Sequence, residues 1–466
     1  MEKAHILLLA IIVSGAALRA VALDAPFAGK HAFNEAHYSM NAVNFFRYGP
    51  FSVMGELGMD LSRGIVLQWL IFLSFILFGV SELSARLPVF VCGVLSLPLL
   101  FAITERLFER RIALLAAFFA AFAPGIVYFS RNVQLEPLMV MLLLSALLFM
   151  VVYKKGGGGR WLWLSAAALA LATLTKFTAA LAIPSLLALY LFYNGPPRQG
   201  TKLRGALLVC SSAAVAFLWV AGTAAAGLNS DLAHLSSNEW SAAGLATSLA
   251  AVALYLPVHL GPLTLMLLVA GLPFCWREMD RAALAALLLF ALAWYAIIAV
   301  LPGLYPGNEY YDYPGWYALC ALAAFACLRF ADFIRGLFGK PAAGSILAAI
   351  VLATLMVDIP AYFSEVSYLA SGRPDWVESA ALVAKANTGK QPTLADTPQA
   401  MYYAGGDPAY IDWFLFRCPI EECIAGRNYT YVVLSSYCSD EKLLGTLVLS
   451  NYTQIAQCAW MRGSAG

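Results

Sequence analysis

Charge is what this chain has least of. Asp, Glu, Lys and Arg make up only 12% of its 466 residues, His contributes five more, and the formal net charge is +2. With 61% hydrophobic residues and a mean hydropathy of +0.75, there is too little polar surface to cover one soluble core. The near-neutral balance argues against a nucleic-acid partner. The Gly156–Gly159 run follows no strand and precedes no Lys-Ser/Thr pair, so it reads as a flexible turn and not a phosphate loop. What the chain has in abundance is long apolar runs. Its class is therefore a polytopic α-helical membrane protein.

Residues 5–23 form an apolar stretch long enough for the hydrocarbon core of about 30 Å. It is read as a retained first helix, since no small-residue cleavage site follows. Further spans are expected at 87–104, 112–130, 137–153, 161–175, 178–193, 205–226, 258–275, 282–301, 314–331 and 343–362, about eleven in all. Residues 243–257 end in Pro257 and read as a re-entrant or interfacial piece. The basic residues decide how to treat 64–80. If 64–80 lies along the outer interface without crossing, then Arg106, Arg110, Arg111, Lys154, Lys155, Arg160, Arg198, Lys202, Arg204, Arg277, Arg281, Arg329, Arg335 and Lys340 all fall in cytoplasmic loops. This choice places the N-terminus inside, at the plasma membrane, and makes residues 24–86 one long outer loop.

The unusual polar residues then gather on the outer side. Glu35 lies in the loop 31–51 with His31, Asn34, His37, Tyr38 and Arg47, and a partly buried acid there is a candidate base. Arg131 and Glu136 share a short outer turn. Lys176 stands alone in a tight apolar hairpin, where an ammonium suits a lipid phosphate or simply snorkels to head groups. Arg63 is a second phosphate candidate. Tyr305, Tyr310, Tyr311, Asp312, Tyr313 and Trp316 crowd the outer end of a span, as an aromatic belt or as the lining of a sugar site. No Asp-X-Asp pair appears in the outer loops, and His31 and His37 alone make no metal site.

From about residue 365 the composition changes, which divides the chain into a membrane domain, 1–364, and an extracytoplasmic domain, 365–466. Helices at 375–387, 398–404 and 440–449 alternate with strands at 393–396, 409–412, 429–435 and 453–460, the pattern of a small α/β sheet. Four of the nine cysteines, Cys418, Cys423, Cys438 and Cys458, are confined to this tail, as are sequons at Asn428 and Asn451. Disulfides outside the cytosol are the expected use of such a set.

Four runs of sequence carry a resemblance: Gly79-Val-Ser-Glu-Leu-Ser-Ala-Arg-Leu-Pro88, Glu105-Arg-Leu-Phe-Glu-Arg-Arg-Ile-Ala-Leu-Leu-Ala-Ala117, Tyr128-Phe-Ser-Arg-Asn132 and Leu174-Thr-Lys-Phe-Thr178. They resemble the GT-C glycosyltransferases, in the branch of the protein mannosyltransferases, aminoarabinose transferases and RgtA/B/C/D-like enzymes. The resemblance covers residues 1–195, weakens through 314–331 and scarcely touches the tail. That family has an Asp-Glu pair followed by a Tyr in its first outer loop. Here Asn34, Glu35 and Tyr38 match, and with Asn at the Asp position the bet on the catalytic acid moves to Glu35. Glu136 matches a second acid, and Lys176 a Lys implicated in lipid-phosphate binding.

The resemblance implies transfer of a sugar from a polyprenyl-phosphate donor to a glycan, lipid or protein acceptor at the outer face. Glu35 would act as base, Lys176, Arg63 and Arg131 would hold the phosphate, and Asn34, His31, Tyr38, Glu136, Tyr310 and Tyr311 would bind substrate. No metal cofactor is expected. The competing readings are a metal-dependent oligosaccharyltransferase-like enzyme, which calls for clustered Asp residues in the first loop, and a lipid-linked sugar transporter or flippase, which calls for internal repeats.

Overall fold

Inside a bilayer a backbone has only itself to hydrogen-bond with, so long apolar runs become helices. The computed structural model describes residues 2–50, 54–55, 58–59, 64–194, 205, 209–210, 214, 217–218, 221–222, 241–300, 305, 308–366, 375–405, 407, 409, 411–413, 429–434 and 452–462. Its helices are α1 (Glu2–Ala20), α2 (Ala32–Tyr48), α3 (Ile65–Phe78), α4 (Glu82–Leu107), α5 (Arg110–Phe122), α6 (Pro124–Phe129), α7 (Leu135–Lys154), α8 (Arg160–Thr175), α9 (Ile183–Phe192), α10 (Ala242–Leu260), α11 (Pro262–Glu278), α12 (Arg281–Val300), α13 (Tyr313–Phe338), α14 (Lys340–Glu365), α15 (Asp375–Ala386) and α16 (Pro398–Tyr403). Two 3-10 helices, Phe177–Ala182 and Glu309–Tyr311, join them.

Among the described residues, seven helices are long and apolar enough to cross a membrane: α1, α4, α7, α10, α12, α13 and α14. The protein is a polytopic α-helical membrane protein. Helix α3, at 14 residues, is about 21 Å long, too short for a perpendicular crossing. The span expected at 205–226 lies largely outside the described residues. The run 112–130 is divided, because Ala123 is non-helical and Pro124 opens α6 in the position where proline costs no hydrogen bond. Residues 243–257 belong to one 19-residue helix that passes through Pro257 and stops only at Gly261, whose φ of +89° suits glycine.

The described chain forms two compact units. The first comprises Met1–Val21, Ser62–Val66 and Val89–Glu365. Helix α13 is its spine, buried along much of its length and packed by α5, α11, α12 and α14. Arg19, fully buried, ties α1 to its neighbours: Nε donates to Ser130 Oγ (2.7 Å), and the terminal nitrogens donate to the carbonyls of Gly15, Ala120 and Ala121. Four acceptors around one guanidinium offset the cost of removing its charge from water.

The second unit comprises Ala22–Leu61, Leu67–Pro88 and Val366–Gly466. A five-stranded sheet runs β4-β3-β5-β7-β6, formed by β3 (Thr393–Ala395), β4 (Ile411–Trp413), β5 (Tyr431–Val433), β6 (Tyr452–Ala456) and β7 (Ala459–Arg462). A separate two-stranded ribbon, β1 (Met54–Gly55) with β2 (Gly58–Met59), belongs to the first loop. Strand β3 pairs parallel with β4 and β5, while β5–β7 and β7–β6 are antiparallel. The small α/β sheet expected of the tail is therefore present. The single strand expected at 453–460 is instead the hairpin β6–β7, turning at Gln457 and Cys458. The expected helix at 440–449 lies outside the described residues. Cys458 is disulfide-bonded; Cys418, Cys423 and Cys438 lie outside the described residues.

Sequence assigned the first loop to the membrane domain, but in the structure it packs with the tail. Met40 of α2 is fully buried in one apolar cluster with Val383, Met401, Ile411 and Val433, and Phe33 packs against that cluster. The stretch read as a loop around Glu35 is thus a 17-residue helix with one face in the tail's core.

Candidate active site

Helices α7 and α8 form a hairpin about the Gly156–Gly159 turn, and its open end carries one charge from each arm. Glu136 lies in the first turn of α7, where the helix dipole favours an anion. Lys176 caps α8 in an extended conformation, where the dipole favours a cation. Each charge suits its own helix, and the hairpin brings them together: Lys176 Nζ donates to Glu136 Oε1. The glutamate side chain is only 2% exposed and the lysine 14%.

Two aromatic faces complete the surroundings of the ammonium. Lys176 Nζ lies 4.4 Å from the Tyr311 ring centroid and 4.9 Å from that of Tyr310. Both distances fall in the range of cation–π attraction. The tyrosines sit on the Glu309–Tyr311 3-10 helix, which Asp312 anchors from behind. Asp312 is fully buried and accepts from Tyr305 Oη at 3.0 Å. Burial pushes its carboxyl up to about 7, against the opposing pull of the hydrogen bond from Tyr305.

Beneath the tyrosines the site has an aromatic floor. Phe129 makes ring contacts with Tyr310, Tyr313, Trp316 and His259, and His259 also stacks on Tyr255. The close approach depends on Gly125, where a Cβ would come within 2.6 Å of both His259 and Trp316. Gly64 plays a similar part at the mouth of the hairpin: its φ is +45°, and a Cβ there would meet the Thr175 carbonyl at 2.3 Å.

Four residues picked from sequence, Lys176, Glu136, Tyr310 and Tyr311, therefore form one cluster within the first unit. Arg131 is turned elsewhere, donating to the Val21 carbonyl. Arg63 lies outside the described residues. His31, Asn34, Glu35 and Tyr38 all lie on or at the start of α2 in the second unit. His31, Glu35 and Tyr38 are buried, while Asn34 is half-buried.

Glu35, read from sequence as a partly buried acid and a candidate base, is held in an ion pair. Arg86 grips both of its oxygens, Nε to Oε1 at 2.8 Å and Nη2 to Oε2 at 3.0 Å, and both side chains are 1% exposed. The same guanidinium donates to the carbonyls of Leu23, Ala25 and Pro26 and lies 5.0 Å from the Phe27 ring centroid. Phe27 N–H in turn donates to Tyr403 Oη, which donates to Glu82. In this arrangement Glu35 fixes the loop entering α2. Arg86 was within reach of sequence reading, inside the 79–88 motif, but there it looks like one more residue leading into a span.

Among the described residues, no three His, Cys, Asp or Glu side chains converge to hold a metal ion.

Residues 62–223 match the family model of the dolichyl-phosphate-mannose-protein mannosyltransferases. The whole chain superposes on ArnT from Cupriavidus metallidurans bound to undecaprenyl phosphate, covering 98% of each chain at 16% identity with a TM-score of 0.67. The fold is that of the GT-C membrane glycosyltransferases. AglB, an oligosaccharyltransferase from Archaeoglobus fulgidus solved with an inhibitory peptide and a dolichol-phosphate, shares this GT-C fold at 15% identity and a TM-score of 0.61, over 95% of this chain and 71% of that one. An Archaeoglobus fulgidus oligosaccharyltransferase complex with Zn and sulfate matches at 15% identity and a TM-score of 0.60, over 96% of this chain and 71% of that one. No curated protein sequence matches the chain.

Proposed function

We propose that this GT-C protein transfers a sugar from a polyprenyl-phosphate donor to an acceptor hydroxyl at the non-cytosolic face of the plasma membrane, with its N-terminus cytoplasmic and its α/β tail outside. The observation that carries this reading is Lys176. Its ammonium is held at the open end of an apolar hairpin between two tyrosine faces, where a lipid phosphate arriving from the bilayer would find a cation and a sugar would find aromatic surface. The relatives solved with undecaprenyl phosphate and dolichol-phosphate support the donor class.

In the transfer, the acceptor oxygen bonds to the anomeric carbon as the bond from that carbon to the phosphate oxygen breaks. The bonding pair stays on the phosphate, whose growing charge Lys176 stabilises. A single displacement inverts the configuration, and the acceptor proton ends on the released lipid phosphate or in the medium. Glu35, saturated by Arg86, serves to set the start of α2 and the half-buried Asn34 beside it, and does not take the proton itself. Arg63 remains assigned to the donor phosphate, and His31 and Tyr38 to substrate binding. The acceptor belongs to one of three classes, glycan, lipid or protein.

The test is a purified preparation in lipid nanodiscs, offered a panel of polyprenyl-phosphate-linked hexoses and pentoses with a membrane extract as acceptor source. Release of polyprenyl monophosphate with stoichiometric glycosylation of an acceptor is the expected result. Failure to consume any donor of this class would overturn the reading.

A further inference from the structure

Lys176 meets a strong anion before any substrate arrives, and the reaction proposed above gives that anion a use. We infer that Glu136 discharges the spent carrier: it lowers the affinity of the site for the doubly charged product relative to the singly charged donor. The inference rests on the proposed transfer chemistry and adds a role for a residue that the chemistry itself does not need.

The ammonium has three N–H bonds. Glu136 accepts from it, and the remaining exposure is bounded by the faces of Tyr310 and Tyr311. A phosphate that reaches Nζ therefore comes to rest beside a carboxylate that is 2% exposed and poorly screened by water. Before transfer that phosphate is a diester with one negative charge. Once the bond to the anomeric carbon breaks, it is a monoester whose second ionisation lies near pH ~6, so at neutral pH it carries close to two charges. A site consisting of Lys176 alone would be a net cation, and the monoester would become its tightest ligand just when it must leave. Glu136 offsets part of the attraction that Lys176 exerts, so the extra charge gained in the reaction is stabilised by the ammonium but held less tightly than Lys176 alone would hold it. The 3-10 helix and the α7–α8 hairpin keep the pair in place, so this balance is built into the fold.

The experiment is equilibrium binding of undecaprenyl phosphate and of its methyl diester to the full-length protein in nanodiscs. Wild type is compared with Glu136→Gln, Glu136→Ala and Lys176→Met, each checked by thermal melting. Glu136→Gln should bind the monoester about tenfold more tightly, within the range for charges a few ångströms apart at a partly screened site, and should bind the diester with a distinctly smaller gain. Glu136→Ala removes the same charge with a different shape and should show the same ordering. Lys176→Met should weaken both lipids. If neither Glu136 variant tightens the monoester, or if both lipids gain equally, the inference is overturned. Wild type that binds neither lipid would instead overturn the functional reading on which it rests.

Discussion

Arg86 holds Glu35 by both carboxylate oxygens, at 2.8 and 3.0 Å, with neither side chain reaching solvent. Removing one partner from such a pair leaves the other charge buried without compensation, at a cost of about 3–5 kcal/mol. Glu35→Gln and Arg86→Gln should therefore destabilise the protein by similar amounts, read as lower melting temperatures in nanodiscs. A base would behave otherwise: Glu35→Gln would then abolish transfer at an unchanged melting temperature, and Arg86→Gln would not match it.

Asp312 gives a pH signature. Its carboxyl titrates near 7 in the folded protein against an ordinary value of 3.8, so between about pH 4 and pH 7 the folded state holds one proton more than the unfolded state. Stability from this residue is fully present below pH 4 and is lost as pH rises to 7. The wild-type melting temperature should carry that falling component and Asp312→Asn should lack it. Identical pH slopes for the two proteins would contradict the assignment.

At Gly64, both the positive φ and the nearby Thr175 carbonyl forbid a side chain. Gly64→Ala should cost about 1–3 kcal/mol and weaken donor binding, since the strain falls on the residue next to Lys176. A variant with unaltered melting and affinity would show that this close approach is dispensable.

Much of this could be read from the sequence, and the failures have physical causes. The membrane class and most helix positions follow from long apolar runs, which leave the backbone one choice. Pro257 looks like a terminator in the sequence, yet α10 runs on to the Gly261-Pro262 pair, which marks the true end. The β6–β7 hairpin looks like one strand in the sequence because Gln457-Cys458 carries no Gly, Pro or Asn turn signal. In the site, Lys176 is visible in the sequence as a lone charge in a tight apolar hairpin, and Glu136 as an acid that shares a short turn with Arg131. Their pairing across 40 positions depends on how the two arms of a hairpin end, which neither local sequence states. The Glu35–Arg86 pair was hidden for the same reason: 51 residues separate its members.

Metal dependence separates the proposed enzyme from an oligosaccharyltransferase-like one. Lys176 supplies the positive charge on the leaving phosphate, so transfer should persist in excess EDTA. Abolition by EDTA with recovery on adding a divalent cation would favour the metal-dependent alternative.

The most direct measurement is the rate of polyprenyl monophosphate release by wild type and Lys176→Met under saturating acceptor, with melting temperatures recorded alongside. The account predicts a loss of at least ~100-fold, the scale expected when a group that stabilises transition-state charge is removed, in a protein that still folds. Transfer at the wild-type rate by Lys176→Met would contradict it.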